Sequence, residues 1–570
     1  MMSRCYSTVL TLATTLVMAA CAAPASGPRA AQPSDGASAL QASQPRGTLK
    51  IGWAREPDTL APKFLSGGGA GEYTWLFNSA LAIRDLTYTP RPMIASELPT
   101  REKGDWVVNP DGSMVTTYRL RENARWQDGA PIVARDFAFA YEVYTDDDMP
   151  VGVRAPESLM SRVEARDDRT VVIYWKELFS GANALGYRQL HPLPSHLLEE
   201  KYRTSRATFA TGEEWTYAHV GSGPFRVDRW EPGARLVARA NPYFFLGSPR
   251  IETIEIRFIA DPNTVLANLL AGEIDLSSST SITANEAVIA RDQWATKGEG
   301  YIRTWSTRLI FVDFQHREVP NWQRAVSDVR VRQALMHALD RDGIADVINL
   351  GLAPKGEAYI APADPAFADV DRAISKYAYD PARAAALLGD AGWRRPREGA
   401  PLANAAGQAF DLDVWSDEER EATIVADYWK TAGVSSNPLR VPNARRNDQE
   451  YRNHFPGTQI GSNTISQEDL HTVASKLPRA EIGWLGSNRG SFTDPEVERY
   501  HNLVLTSFSE QERRGAVVAM HRRLTELAAF GPLFYQVEVI AAKQRVTGPV
   551  GTVGAQTGIT WNVWEWEVSE

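Results

Sequence analysis

The stretch "DGSMVTTYRLRENARWQDGAPIVARDFAFAYE" (residues 111–142) decides the fold, because strand-like sequence gives way to helix-like sequence within it. It is entered by the turn "NPDG" (109–112), where Asp and Gly favour a tight reversal. "MVTTYRLRENARWQDG" (114–129) then reads as a pair of strands, with Asp128–Gly129 as a further turn. "ARDFAFAYEVYTD" (134–146) reads as the helix that follows. Strands passed on to helices in this way predict a mixed α/β chain.

The alternation extends in both directions. "GTLKIGWA" (47–54) alternates apolar and polar residues, as a half-buried strand does, and "EYTWLFNSAL" after "GGGAG" (67–71) reads as a helix. "DPNTVLANLLAGEIDL" starts a helix with Asp261 as N-cap and Pro262 at the first helical position, stops it at Gly272, and continues into a strand at "EIDL". Asp380 and Pro381 with Gly392, and Asp494 with Pro495, repeat the device. Ser509 and Glu512 have capping-box spacing. Val331, Leu335, Ala338 and Leu339 fall on one helical face.

The chain has 570 residues and a formal net charge of −9. That length predicts two or three domains after the amino terminus. The acidic balance argues against nucleic acid, whose phosphates need clustered Lys and Arg. Only two cysteines occur, Cys5 and Cys21, both in the first 21 residues. "TVLTLATTLVMAA" (8–20) is too short to span a bilayer, which takes about 20 apolar residues, and fits a secretory signal. "MAAC" resembles a bacterial lipobox, so Cys21 is the expected lipidation site, with residues 1–21 the lipoprotein signal peptide. Residues 22–46, rich in Ala, Pro, Ser, Gln and Gly, form a tether reaching about 25–30 Å.

Five blocks in order resemble the bacterial extracellular solute-binding proteins of the oligopeptide, dipeptide and nickel type (family 5), the receptors of ABC importers. They are "GTLKIGWAREPDTLAP" (47–62), the opening block, "GSGPFRVDRWEPGARLVARANPYFF" (221–245) with "GEIDL" (272–276), "VRVRQALMHALDRDGI" (329–344) with "YDPARAAALLGDAGW" (379–393), and "DPEVERYHNLVL" (494–505). The resemblance implies an α/β, type II periplasmic-binding-protein-like fold: two α/β lobes around a hinged cleft, with an extra domain inserted in the first lobe. Lobe I is expected at 47–85, 217–312 and 533–570, the extra domain at 86–216 and lobe II at 313–532, with hinge crossings near 312 and 533. The implied protein is no enzyme. It is a monomer that captures a peptide or similar small solute outside the cytoplasmic membrane, is anchored by its lipid, and delivers the solute to ABC permease subunits. No metal or other cofactor is implied.

Ligand contacts are less legible. A Gly-rich turn before a helix brings backbone close to a ligand, which selects Glu72, Tyr73 and Trp75; the same residues also suit a plain turn and helix. "FVDFQ" (311–315) at the expected crossing selects Asp313 and Gln315. "VWSDEER" (414–420) places Trp415 and Asp417 at a helix start, where cap and buried ring are the plainer roles. The polar loop "FPGTQIGSNT" (455–464) offers Gln459, Ser462 and Asn463. In relatives the corresponding stretch carries an acid that pairs with a peptide amino group; here the next acids are Glu468 and Asp469. "WLGSNRG" (484–490) offers Trp484, Asn488 and Arg489, whose guanidinium suits a carboxylate, or else forms a surface loop. An anchored hydrolase is the alternative from another class, but H-E-x-x-H and G-x-S-x-G are both absent from the sequence. A signalling or scaffold receptor needs the same closing cleft and stays open.

Overall fold

The computed structural model describes residues 45–64, 70–152, 154–553 and 558–569. The signal peptide, Cys21, nearly all of the 22–46 tether and Gly67–Gly69 lie outside the described residues. No helix among the described residues is long and apolar enough to cross a membrane.

One ten-stranded sheet organises the molecule. Its strands in chain order are β1 (Thr48–Trp53), β2 (Phe225–Glu231), β3 (Arg235–Ala240), β4 (Thr253–Phe258), β5 (Leu276–Ser277), β6 (Gly300–Phe314), β7 (Asp411–Ser416), β8 (Ser435–Arg440), β9 (Thr458–Thr464) and β10 (Phe530–Lys543). The spatial order is β8-β7-β9-β6-β10-β5-β1-β4-β3-β2. The two long strands β6 and β10 pair antiparallel through the middle and join the two halves of the sheet. The end of β10 pairs with β5, and the second half of β6 pairs with β9. The β6–β10 register slips between Trp305 and Arg308, and again between Ile310 and Phe311.

Strand β1 keeps the alternation read from its sequence: Leu49, Ile51 and Trp53 are buried, while Thr48 is exposed and Lys50 half-buried. It lies between parallel neighbours β4 and β5, and only Gly52 is buried on its second face. One core forms around β1, β4 and helix α1 (Ala70–Phe77), through Ile51, Ile254, Tyr73 and Leu76. A second forms on the other half of the sheet, where Val331, Leu335, Ala338 and Leu339 meet Trp429 and Leu412. The capped helices read from sequence are present. The carboxylates of Asp261, Asp380 and Asp494 each accept from backbone N–H groups in the first turn, and Gly272 takes φ 78° past its helix.

The opening stretch builds a separate four-stranded antiparallel sheet, ordered Trp106–Val108, Met114–Arg119, Thr170–Trp175, Met160–Asp167. Here the expected strand pair at 114–129 is corrected. Only Met114–Arg119 is a strand, and both its edges are already taken, by Trp106–Val108 and Thr170–Trp175. Residues 121–129 turn instead, and this carries Trp126 to helix α2 (Ala134–Thr145), where its indole N–H donates to Asp136 at 2.9 Å. The strand expected at "EIDL" shortens to Leu276–Ser277, because Asp275 turns its carboxylate to Lys50 N and Arg545. The capping box is half formed. Ser509 Oγ accepts from Glu512 N at 3.2 Å, but the Glu512 carboxylate goes to the Ser507 hydroxyl.

A charged cleft as the candidate binding site

Where the β6–β10 ribbon crosses between the halves of the sheet, it lines a cavity of about 860 Å³. This lies within the roughly 300–1,000 Å³ range of pockets that enclose small ligands. Thr307 and Arg308 of β6 and Phe534, Gln536 and Glu538 of β10 form its floor. Alternation along a strand aims Gln536 and Glu538 to the same side.

One wall is acidic. Glu72 projects from α1, 8% exposed, and takes the Trp53 indole N–H. Thr560 Oγ1 donates to the Glu72 carbonyl at 3.0 Å and so seats the carboxy-terminal segment on this helix. Gly558, at φ 89°, permits that approach, since a Cβ there would sit 3.0 Å from Glu72 Cα. Glu538 accepts from Trp305 Nε1 at 2.9 Å and from the Thr307 hydroxyl. Burial pushes the Glu72 carboxyl up to about 7; the Trp53 and Thr280 hydrogen bonds pull it down, and the charge of Glu538 pushes it further up. Burial also raises Glu538.

The opposite wall carries Arg446, Arg452 and Arg489 with Asp417, Glu418 and Glu421. Arg452, 4% exposed, reaches Asp417 through Nη1. The Gln459 amide oxygen, turned toward the guanidinium groups, accepts from Arg489 Nη1 and Arg452 Nη2, both at 3.1 Å. Burial lowers the Arg489 guanidinium, and neighbouring Arg452 lowers it further. Burial pushes Glu421 up to about 7, with Glu418 adding to the push.

Of the residues singled out from sequence, Glu72, Asp417, Ser462 and Arg489 line the cavity. Ser462 is held by Arg308, whose Nη2 donates to its hydroxyl at 2.7 Å. Two stand immediately behind the wall: Gln459 bridges the arginines, and buried Asp313, pushed up to about 7 by burial, feels the charge of Arg489. The others serve the scaffold. Tyr73 stacks on Trp53 at 4.5 Å and donates to Arg55 O, while Trp75 turns into the core beneath the four-stranded sheet. Gln315 donates to the Asn453 and Phe455 carbonyls. Trp415 packs on Tyr451 at 4.7 Å, and Trp484 packs on His454 at 4.7 Å with the Arg317 guanidinium over its ring. Asn488 is spent on its own turn, donating to Val473 O and Phe492 O. Asn463 alternates away from the wall that Ser462 occupies. The sequence reading missed Arg308, Arg452 and Glu538. For Arg308 and Glu538 the available signal was a charge within a strand rich in apolar residues, as in "STRLIFVDF" and "FYQVEVI". Among the described residues no group of three or more His, Cys, Asp or Glu side chains is placed to hold a metal ion.

The sequence profile described as "Bacterial extracellular solute-binding proteins, family 5 Middle" matches residues 91–473. The chain belongs to this family. A family relative in Brucella ovis, named as a putative ABC transporter peptide-binding protein, is 28% identical over 364 residues, covering 62% of this chain and 63% of the relative. The chain thus aligns with less than two thirds of that relative's length. The oligopeptide-binding protein of Thermus thermophilus, solved with a pentapeptide, superimposes with TM-score 0.70 at 23% identity, over 91% of this chain and 96% of that one. NikA from Brucella suis, solved with Fe(III)-EDTA, gives 0.73 at 19%, over 92% and 100%. The fold is therefore the type II periplasmic-binding-protein architecture, and the family 5 relatives are binding proteins rather than enzymes.

Proposed function

We propose that this family 5 chain captures a peptide or similar small solute for an ABC importer, without chemical turnover. The observation that carries the proposal is the 860 Å³ cavity with charged side chains from both halves of the sheet. A solute touching both walls has higher affinity for the state in which they approach, so it shifts the population toward closure. The lobes in this proposal are 47–85, 217–312 and 533–570 for lobe I and 313–532 for lobe II, with 86–216 as the inserted domain. The pivot is assigned to the register slips around Trp305–Arg308 and their partners Gln536–Glu538, a little to the lobe I side of the crossing expected at 312 and past the one at 533. Hinges absorb dihedral change over a few residues at the ends of elements. The names of the Brucella ovis and Thermus relatives support a peptide as the solute.

In the same proposal the protein is a monomer outside the cytoplasmic membrane, tethered by lipid at Cys21 and docking on permease subunits. Mass spectrometry of whatever co-purifies with the protein, followed by calorimetry with that compound, tests the capture. Stoichiometric binding of an unaltered solute is expected, and multiple-turnover conversion of it would contradict the proposal. Metabolic labelling with a fatty acid tests the tether: label lost in Cys21→Ser supports it, and label retained contradicts it.

A further inference from the structure

We infer that the solute is dipolar: its carboxylate docks on Arg452 and Arg489, and its primary ammonium docks between Glu72 and Glu538. This rests on the capture reading above and adds the charge and the direction of the guest.

At the arginine pole, two guanidinium groups converge on one amide oxygen, that of Gln459. Asp417 pairs with Arg452, yet Arg452 Nε, buried with the rest of the side chain, has no hydrogen-bond partner among the described residues. Arg489 has no carboxylate oxygen within 4.0 Å among the described residues. Its near acid Asp313 is held partly protonated by burial, which weakens the counter-charge behind it. Arg489 is half-buried and lines the cavity with no carboxylate in contact among the described residues, and a planar carboxylate satisfies a guanidinium fork with two parallel hydrogen bonds.

At the carboxylate pole the hydrogen bonds come from neutral donors: Trp53 and Thr280 for Glu72, Trp305 and Thr307 for Glu538. Neither carboxylate has a Lys, Arg or His nitrogen within 4.0 Å among the described residues; Arg55 and Arg308 act on them from farther away. Two acids that repel one another across the same cavity wall are relieved by a cation placed between them. An ammonium supplies three donors for the purpose.

The poles belong to different halves of the sheet. Glu72 stands on α1, and Glu538 on β10 opposite Trp305, on the β5 side of the register slip, while Arg452 and Arg489 gather about β9. A dipolar guest joins both halves, and a guest with one charge satisfies only one. The competing cation site is Glu421, which has the Ser416 hydroxyl at 3.3 Å and shares its wall with Asp417 and Glu418. Those two neighbours already have Arg452 and Arg446 beside them.

The test is calorimetry of the purified protein with di- to tetrapeptides free at both ends, their N-acetyl forms and their C-terminal amides. Each cap is expected to weaken binding at least about tenfold, as the loss of a charge-assisted pair does. In Glu72→Gln the acetyl penalty vanishes while the amide penalty stays. In Arg489→Gln the reverse holds. Glu538→Gln serves in place of Glu72→Gln should circular dichroism show the latter unfolded. Caps that leave affinity within twofold overturn the inference while leaving capture intact, and so does an acetyl penalty removed by Glu421→Gln alone. If no peptide binds, the peptide reading fails. The co-purifying solute then decides the polarity: one with both charges supports it, and one lacking either overturns it.

Discussion

Asp136 and Glu72 are both buried carboxylates that receive an indole N–H, and they do different work. Asp136 takes four hydrogen bonds, from Trp126 Nε1, Val133 N, Ser195 N and Ser195 Oγ, at 2.9, 2.9, 3.0 and 2.6 Å. Its lone pairs are spent on joining the opening stretch to helix α2 and to the helix at Ser195–Thr204. Glu72 takes two neutral donors and turns the rest of its carboxylate to a cavity. Burial alone therefore does not mark a candidate binding residue; unused hydrogen-bonding capacity facing open space is the added feature. Family resemblance in the sequence is carried by residues of the first kind, and in the proposed capture ligand choice falls to the second.

That contrast breaks first at Asp136. Asp136→Ala orphans four donors and opens a cavity, so we expect a loss of about 4 kcal/mol in chemical denaturation. A loss below about 1 kcal/mol would remove the distinction. Glu72→Gln should act in the opposite sense. Glu72 holds its proton up to about 7 in the folded chain against 4.5 as a reference, so its contribution to stability is present below 4.5 and lost as pH rises through 7. Without ligand, Glu72→Gln is expected to exceed the wild type by about 2 kcal/mol at pH 8, with the gap closing toward pH 4.5. Melting curves across that range check it.

His471 sharpens the same point within the core. It is buried among Phe311, Tyr359 and Phe530, and neither ring nitrogen has a partner among the described residues. Burial lowers its pKa to about 3, so the stability it contributes is present above 6.5 and lost as pH falls. His471→Phe should raise stability by about 1 kcal/mol at pH 7 and by more at pH 5, again read from melting curves. The smallest effect is at the half-formed capping box. Ser509→Ala removes one capping bond and should cost about 0.5–1 kcal/mol in chemical denaturation, and Glu512→Gln still less.

The sequence showed what is decided locally. Asp261, Asp380 and Asp494 cap their helices through bonds that span one turn, so residue identity and spacing suffice. Residues 120–129 misled because the partner of Met114–Arg119 is Thr170–Trp175, far along the chain, and nothing local announces that pairing. The site was legible only in part for the same reason. Glu72 stood out because a glycine-rich turn precedes it, and Arg489 because its guanidinium suits a carboxylate. Arg452 lies in "NDQEYRNHF", which reads as a solvated charged helix until Gln459 and Asp417 draw the guanidinium inward. Asn488 and Trp484 looked equally exposed, and the turn they build consumes them.

The central claim is that two halves of one sheet close over a solute at the β6–β10 ribbon. Small-angle X-ray scattering of the purified protein, with and without a saturating concentration of the compound that co-purifies with it, tests this most directly. The account predicts a smaller radius of gyration with the compound bound, and a smaller change in Arg489→Gln at equal occupancy. A particle whose dimensions stay the same on saturation would contradict it.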